Sequence, residues 1–129
     1  MIVGSDAILE PANNNHPRST GTFARLLGRY VRDRGVLGLS EALAKVTVLP
    51  ARLLEAGMPA LARKGRLREN MDADITIFNP DTIVDNAVRA QPNRESTGID
   101  WVIIDGQIVR NPDGNIETIT NGNALTGRV

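Results

Sequence analysis

The sequence predicts an α/β protein, helical in its first half and β-rich in its second. Two observations carry this. Between Thr22 and Val31 the apolar residues Phe23, Leu26, Leu27, Tyr30 and Val31 recur at helical spacings. Near the other end, Trp101 to Ile104, then Asp105-Gly106, then Gln107 to Val109 form two β-rich runs around a dipeptide that favours a tight type I′ hairpin turn.

The chain opens on Met1-Ile2-Val3, a short apolar run that passes at once into Gly4-Ser5-Asp6. This reads as the end of a buried strand entering a loop. Pro11, Asn13, Asn14, Asn15 and Pro17 continue with loop chemistry. The helix that follows is expected to take Thr20 or Thr22 as its N-cap and to end at Gly35. Arg25, Arg29 and Arg32 form a second stripe on it. A phosphate or partner patch is one reading of that stripe; with no net positive charge behind it, a solvated face is the expectation.

Ser40 suits the cap of a second helix with Leu39, Leu43 and Val46 as apolar positions, and Thr47 with Pro50 suits a third over Ala51 to Glu55. Gly57-Met58-Pro59 breaks that helix, and Lys64-Gly65 closes the helical half. Beyond it, Ile75, Ile77 and Phe78 mark a strand ended by Asn79-Pro80. Ile116 to Ile119 suggests another, and the tail from Asn121-Gly122 reads as loose.

Composition bounds the chemistry. The 129 residues contain 41% apolar but only 3% aromatic residues, so any core rests on Leu, Ile, Val and Ala. Fifteen basic and fifteen acidic residues cancel, which gives no electrostatic case for nucleic acid or a membrane surface. No apolar run approaches the roughly 20 residues of a membrane span. With no cysteine and a single histidine, thiolate metal sites are excluded and a histidine-rich one cannot be built from this chain. A soluble, cytoplasmic protein is the default expectation. Asp6, just past the first apolar run, is the one carboxylate that stands out as a catalytic candidate.

Several stretches together are similar to the C-terminal end of N-acyl-D-amino-acid deacylases (D-aminoacylases) of the amidohydrolase superfamily. They are Gly4-Ser5-Asp6, His16-Pro17-Arg18, Gly21-Thr22-Phe23, Leu27 to Arg32, Ala44 to Thr47, Leu49-Pro50-Ala51 and Lys64 to Leu67. They continue with Asp72 to Ile75, Phe78-Asn79-Pro80, Ser96 to Ile99 and the Asp105-Gly106 hairpin. Order and spacing make the match, which runs from Ile2 to about Gly114. Asn70-Met71, Asn79 and the tail from Asn121 to Val129 depart from the family pattern.

The resemblance implies a (β/α)8 barrel with a small β-sandwich domain. Residues 1–64 would be the barrel end (last strand, active-site loop and closing helices), and residues 65–129 the C-terminal part of the β domain. It implies metal-dependent hydrolysis of the linear amide of N-acyl-D-amino acids, with Asp6 as the proton-transferring carboxylate. Ser5, His16 and Arg18 would lie at the substrate, Arg18 facing its carboxylate. Zinc would belong to the complete enzyme, its ligands lying outside this chain; alone, the chain is expected to bind no zinc tightly and to be inactive. The alternatives are a non-catalytic remnant acting as a binding or self-association module, and one half of a split enzyme completed by an N-terminal barrel chain.

Overall fold

In the computed structural model, which describes residues 1–8, 10 and 14–116, the chain divides into two compact units. One, the helix–loop unit, comprises residues 3–42 and 78–99. The other, the sheet unit, comprises residues 1–2, 43–77 and 100–129. Neither is continuous in sequence. Among the described residues no helix is long and apolar enough to cross a membrane.

The helix–loop unit is built on α1 (Arg18–Arg25) and its π-helical continuation, Leu26–Asp33. The helix starts earlier than the capping residues suggest. Pro17 occupies the N-cap position, and the Thr22 hydroxyl instead donates back to the Arg18 carbonyl at 2.9 Å. Gly35 ends it as expected, at φ +57° with its N–H on the Val31 carbonyl.

The packed face differs from the one the large apolar residues mark. Gly21, Ala24, Leu27 and Gly28 are buried, whereas Phe23 and Tyr30 are exposed. Small residues let another backbone come close, and the segment 79–98 does so. Within it Ile83, Ala87, Pro92 and Ser96 are buried. Its ends are joined by the Asn79 N–H on the Gly98 carbonyl, 2.9 Å, and by paired Val84 and Thr97 bonds of 3.0 Å each.

In the sheet unit, α3 (Val48–Leu54) follows Thr47, whose hydroxyl is spent on the Leu43 carbonyl at 2.7 Å. The preceding helix, α2 (Leu39–Val46), has its first half in the helix–loop unit; it begins before Ser40, so that serine lies inside the first turn instead of capping it. A 3₁₀ turn, Pro59–Arg63, stands where the sequence reads only a break; Pro59 suits its first position because the missing N–H is not needed there.

Four strands follow, β1 (Ile75–Phe78), β2 (Ile99–Ile104), β3 (Gln107–Asn111) and β4 (Gly114–Asn115), in spatial order β1-β2-β3-β4. The β2–β3 hairpin turns on Asp105 and Gly106, both at positive φ as a type I′ turn requires. It pairs Ile104 with Gln107 and Ile103 with Ile108, and a bulge follows before Val102 meets Arg110. Met1 to Val3 joins no ladder among the described residues, and Met1 and Ile2 are exposed. The buried strand read from these residues is therefore absent here, for want of a partner strand. Beyond Ile116, the strand read to Ile119 and the tail lie outside the described residues.

The turn is anchored by Asp72-Ala73-Asp74. Asp105 donates its N–H to Asp74 Oδ1 at 2.9 Å, and Gly106 donates to the Ala73 carbonyl at 3.0 Å. Lys64 Nζ meets Asp74 at 2.5 Å and Asp72 at 3.1 Å, and Arg63 meets Asp72 at 2.7 Å. Hydrogen bonds from Arg63 and then Lys64 hold Asp72 below the ordinary carboxylate value, and Lys64 followed by the Asp105 N–H does so for Asp74. Lys64 is held above its usual value, chiefly by Asp74 and against some desolvation.

Depressed carboxylates contribute stability that is present above their unfolded values, near 3.8, and is lost as pH falls through the folded ones. Raised Lys64 contributes below 10.5, and that share is lost as pH rises through its folded value. Urea midpoints measured across pH should therefore fall on acidification below about pH 4, and Asp74→Asn should flatten that fall. A second prediction concerns Gly98, at φ +80°, where an added Cβ would lie 2.6 Å from the Ile83 backbone. Gly98→Ala should cost at least ~2 kcal/mol by urea denaturation, from left-handed strain plus the displaced backbone.

Candidate active-site segment and its arginine-lined cavity

Residues 3–8 and 14–25 belong to the helix–loop unit. Asp6 sits at φ +51°, a left-handed conformation that aspartate tolerates better than most residues and that turns the chain sharply. Its carboxylate is open, with 81% of the side chain exposed. Arg18 reaches back twelve residues to it: Nη2 lies 3.2 Å from Asp6 Oδ2, and Nε donates to the Asp6 carbonyl at 2.8 Å. The arginine thus grips both backbone and carboxylate of the same residue.

Ser5 and His16 serve local turns. The Ala7 N–H donates to Ser5 Oγ at 3.3 Å, and the Arg18 N–H donates to His16 Nδ1 at 3.1 Å. A ring nitrogen that accepts a backbone N–H carries no proton, so a neutral His16 has its proton on Nε2. Ser19 Oγ donates to the Ile8 carbonyl at 3.0 Å and ties the same loop to α1. Of the four residues singled out in the sequence, the structure brings Asp6 directly to Arg18 and places His16 against the Arg18 backbone. Ser5 caps only its own turn.

The arginine stripe is not a purely solvated face. Arg25 Nε pairs with Asp85 Oδ2 at 2.6 Å, and that carboxylate is only 6% exposed. Asp85 Oδ1 accepts the Ala87 N–H at 2.9 Å, so both oxygens are used. Arg32 Nη1 donates to the Ile83 carbonyl at 2.7 Å and to the Asp81 carbonyl at 3.3 Å. The stripe therefore fastens segment 79–98, through a partner 60 residues away that helical periodicity cannot reveal. Thr20 adds bonds at both oxygens, its hydroxyl donating to the Pro92 carbonyl at 2.8 Å and its own carbonyl accepting from Ser96 at 3.2 Å.

Beside this junction lies a cavity of about 420 Å³ whose walls include His16, Arg18, Arg25, Asp85, Val88 and Arg89. Sequence reasoning assigned nothing to Asp85 or Arg89. The nearest signal was the Asp85-Asn86 pair, a turn-type dipeptide in a stretch with no period. Among the described residues no three His, Cys, Asp or Glu side chains converge.

Comparison with known proteins gives the family. The model of the amidohydrolase family matches residues 1–110. N-acyl-D-glutamate deacylase of Alcaligenes xylosoxydans xylosoxydans is 43% identical over 105 residues, 81% of this chain and 20% of that enzyme. D-aminoacylase of the same organism is 37% identical over the same shares. A crystal structure of D-aminoacylase superposes with a TM-score of 0.78 at 34% identity, covering 88% of this chain and 23% of that one. N-acyl-D-glutamate deacylase from Bordetella bronchiseptica, solved with zinc and a phosphonate mimic of the tetrahedral intermediate, superposes at 0.76 with 38% identity over the same shares. The chain spans about one fifth of the length of the curated relatives it matches.

The Arg25–Asp85 junction makes its own prediction. The Asp85 carboxylate fills the space a Cβ on Gly21 would need. Asp85→Ala should cost about 1–2 kcal/mol, less than the roughly 3–5 kcal/mol of a fully buried pair, because the half-exposed Arg25 can rehydrate. In the same urea measurements, Gly21→Ala should be less damaging in the Asp85→Ala background than in the parent, a positive coupling that additivity would not give.

By the family match, the identities and the shared fold, the chain belongs to the amidohydrolase family, and within it is similar to a fragment of N-acyl-D-amino-acid deacylases.

Proposed function

We propose that this chain forms part of a metal-dependent hydrolase of N-acyl-D-amino acids and supplies its acid–base carboxylate, Asp6. The observation that carries the reading is the 43% identity to an N-acyl-D-glutamate deacylase over 105 residues. In this account Met1 to Val3 is the last strand of a (β/α)8 barrel, residues 1–64 end the barrel and residues 65–129 contribute to a β-sandwich domain. Barrel enzymes work at the C-terminal ends of their strands, which is where Asp6 then falls.

The chemistry asks for such a residue. An amide nitrogen leaves poorly until protonated, so one group must take a proton from the attacking water and pass it to the departing nitrogen. Asp6 is solvent-open and is oriented by Arg18 at both its carbonyl and its carboxylate. Ser5, His16 and Arg18 lie within the same loop and form the near wall of the substrate site. Zinc, present in a solved relative, is held by residues outside this chain, and the chain alone is inactive.

A self-associating module is the second reading. It draws on the exposed Leu53, Leu54, Leu67, Ile77 and Ile108 of the sheet unit, which equally suit cover by the rest of a larger enzyme.

A hybrid enzyme tests the first reading. Residues 1–110 replace the matching stretch of an N-acyl-D-glutamate deacylase, and hydrolysis of N-acetyl-D-glutamate is measured. The parent hybrid should turn over, and Asp6→Asn should cut kcat by roughly 10²–10⁴-fold with KM and zinc content kept. A hybrid whose kcat survives Asp6→Asn would sink the assignment.

A further inference from the structure

We infer that the cavity between the first turn of α1 and residues 85–89 is a carboxylate-binding subsite, with Arg89 as its specificity-determining residue. Its ligand is the anionic side chain of an acidic N-acyl-D-amino acid. The identity of that ligand rests on the deacylase reading; the cavity and its charge do not.

The charges around the cavity do not balance. Three arginines, Arg18, Arg25 and Arg89, and His16 line the cavity against a single carboxylate, Asp85. Arg25 neutralises Asp85, whose second oxygen is taken by the Ala87 N–H. Asp85 is thus already charge-paired and hydrogen-bonded at both oxygens, and it does not engage Arg89. Arg18 is engaged with Asp6. Arg89 makes no hydrogen bond or ion pair among the described residues, so its guanidinium is the unspent charge of the cavity. A planar fork of N–H donors is suited to a carboxylate, which it can hold by two parallel bonds.

The remaining walls narrow the class. Pro17, Ala87 and Val88 provide apolar surface beside the arginines. A short methylene chain ending in a carboxylate satisfies both kinds of wall; a bare inorganic anion satisfies only one. Arg18 links this cavity to Asp6, because it lines the first and ion-pairs the second. A ligand seated there lies one arginine away from the proposed acid–base group.

The test is a titration of the isotopically labelled full chain followed by nuclear magnetic resonance. N-acetyl-D-glutamate is compared with N-acetyl-D-norvaline, which lacks only the side-chain carboxylate. The glutamate derivative should give saturable shifts at His16, Thr22 and Arg89, and Arg89→Gln should weaken it about 10-fold, the scale of one charge-assisted hydrogen bond. Arg29→Gln, an exposed arginine outside this cavity, should leave the affinity unchanged and controls for general loss of charge. Equal binding of the norvaline derivative, equal binding of sulfate, unchanged affinity in Arg89→Gln, or no shift at these residues each overturns the proposal. The readout needs no catalysis, so an inactive hybrid enzyme would count against the deacylase reading and leave this binding result standing.

Discussion

Segment 79–98 contributes no regular strand to the helix–loop unit, only two isolated bridges, yet it buries Ile83, Ala87 and Ser96. Backbone of that kind satisfies itself only in part and needs further partners for its buried polar groups. It borrows them from one helix. Arg25 takes the buried Asp85 carboxylate, Arg32 takes the Ile83 carbonyl, and Thr20 takes the Pro92 carbonyl. Gly21 and Gly28 keep the helix surface flat enough for this approach. The Arg25–Asp85 pair is the centre of the arrangement because it alone combines opposite charge with near-complete burial of one partner. Leaving Asp85 alone would strand a buried charge, whereas the half-exposed Arg25 can turn to solvent.

The same helix face positions the candidate site. Arg18 opens α1 with His16 just before it, and Arg18 holds Asp6 in its left-handed turn. What fixes the helix therefore fixes the arginine, and what fixes the arginine aims the carboxylate. The sheet unit follows a different logic. There the hairpin turn is moored by Asp74 and Lys64, an arrangement of exposed and half-buried charges whose contribution shifts with pH.

Features governed by local chemistry were legible in the sequence. Asp105-Gly106 can make few turns other than the one it makes, and Gly35 ends its helix because a left-handed residue is needed there. Features governed by distant partners were not. Thr20 and Thr22 have the chemistry of caps, yet Thr20 is spent on Pro92 and Ser96 and Thr22 on its own helix. The helix's large apolar residues suggest one buried face, whereas of them only Leu27 is buried, beside Gly21, Ala24 and Gly28. Arginines 25 and 32 resemble solvent-facing charges until residues 81–85 are placed beside them. Asp6 stood out from its sequence neighbours, and its pairing with Arg18 required the fold. Arg89, in a stretch with no period, carried no signal of its own.

A carboxylate on an open turn becomes a catalyst only when the rest of a site is brought to it, and among the described residues no three His, Cys, Asp or Glu side chains converge. Asp6 is therefore proposed as one component of a composite centre. The direct test is complementation in trans: a zinc-loaded N-acyl-D-glutamate deacylase lacking the matching fifth of its length is titrated with this purified chain. The account predicts deacylation of N-acetyl-D-glutamate that rises saturably with added chain and does not appear when the chain carries Asp6→Asn. Association of the two parts without any deacylation, or equal activity with the variant, would contradict it.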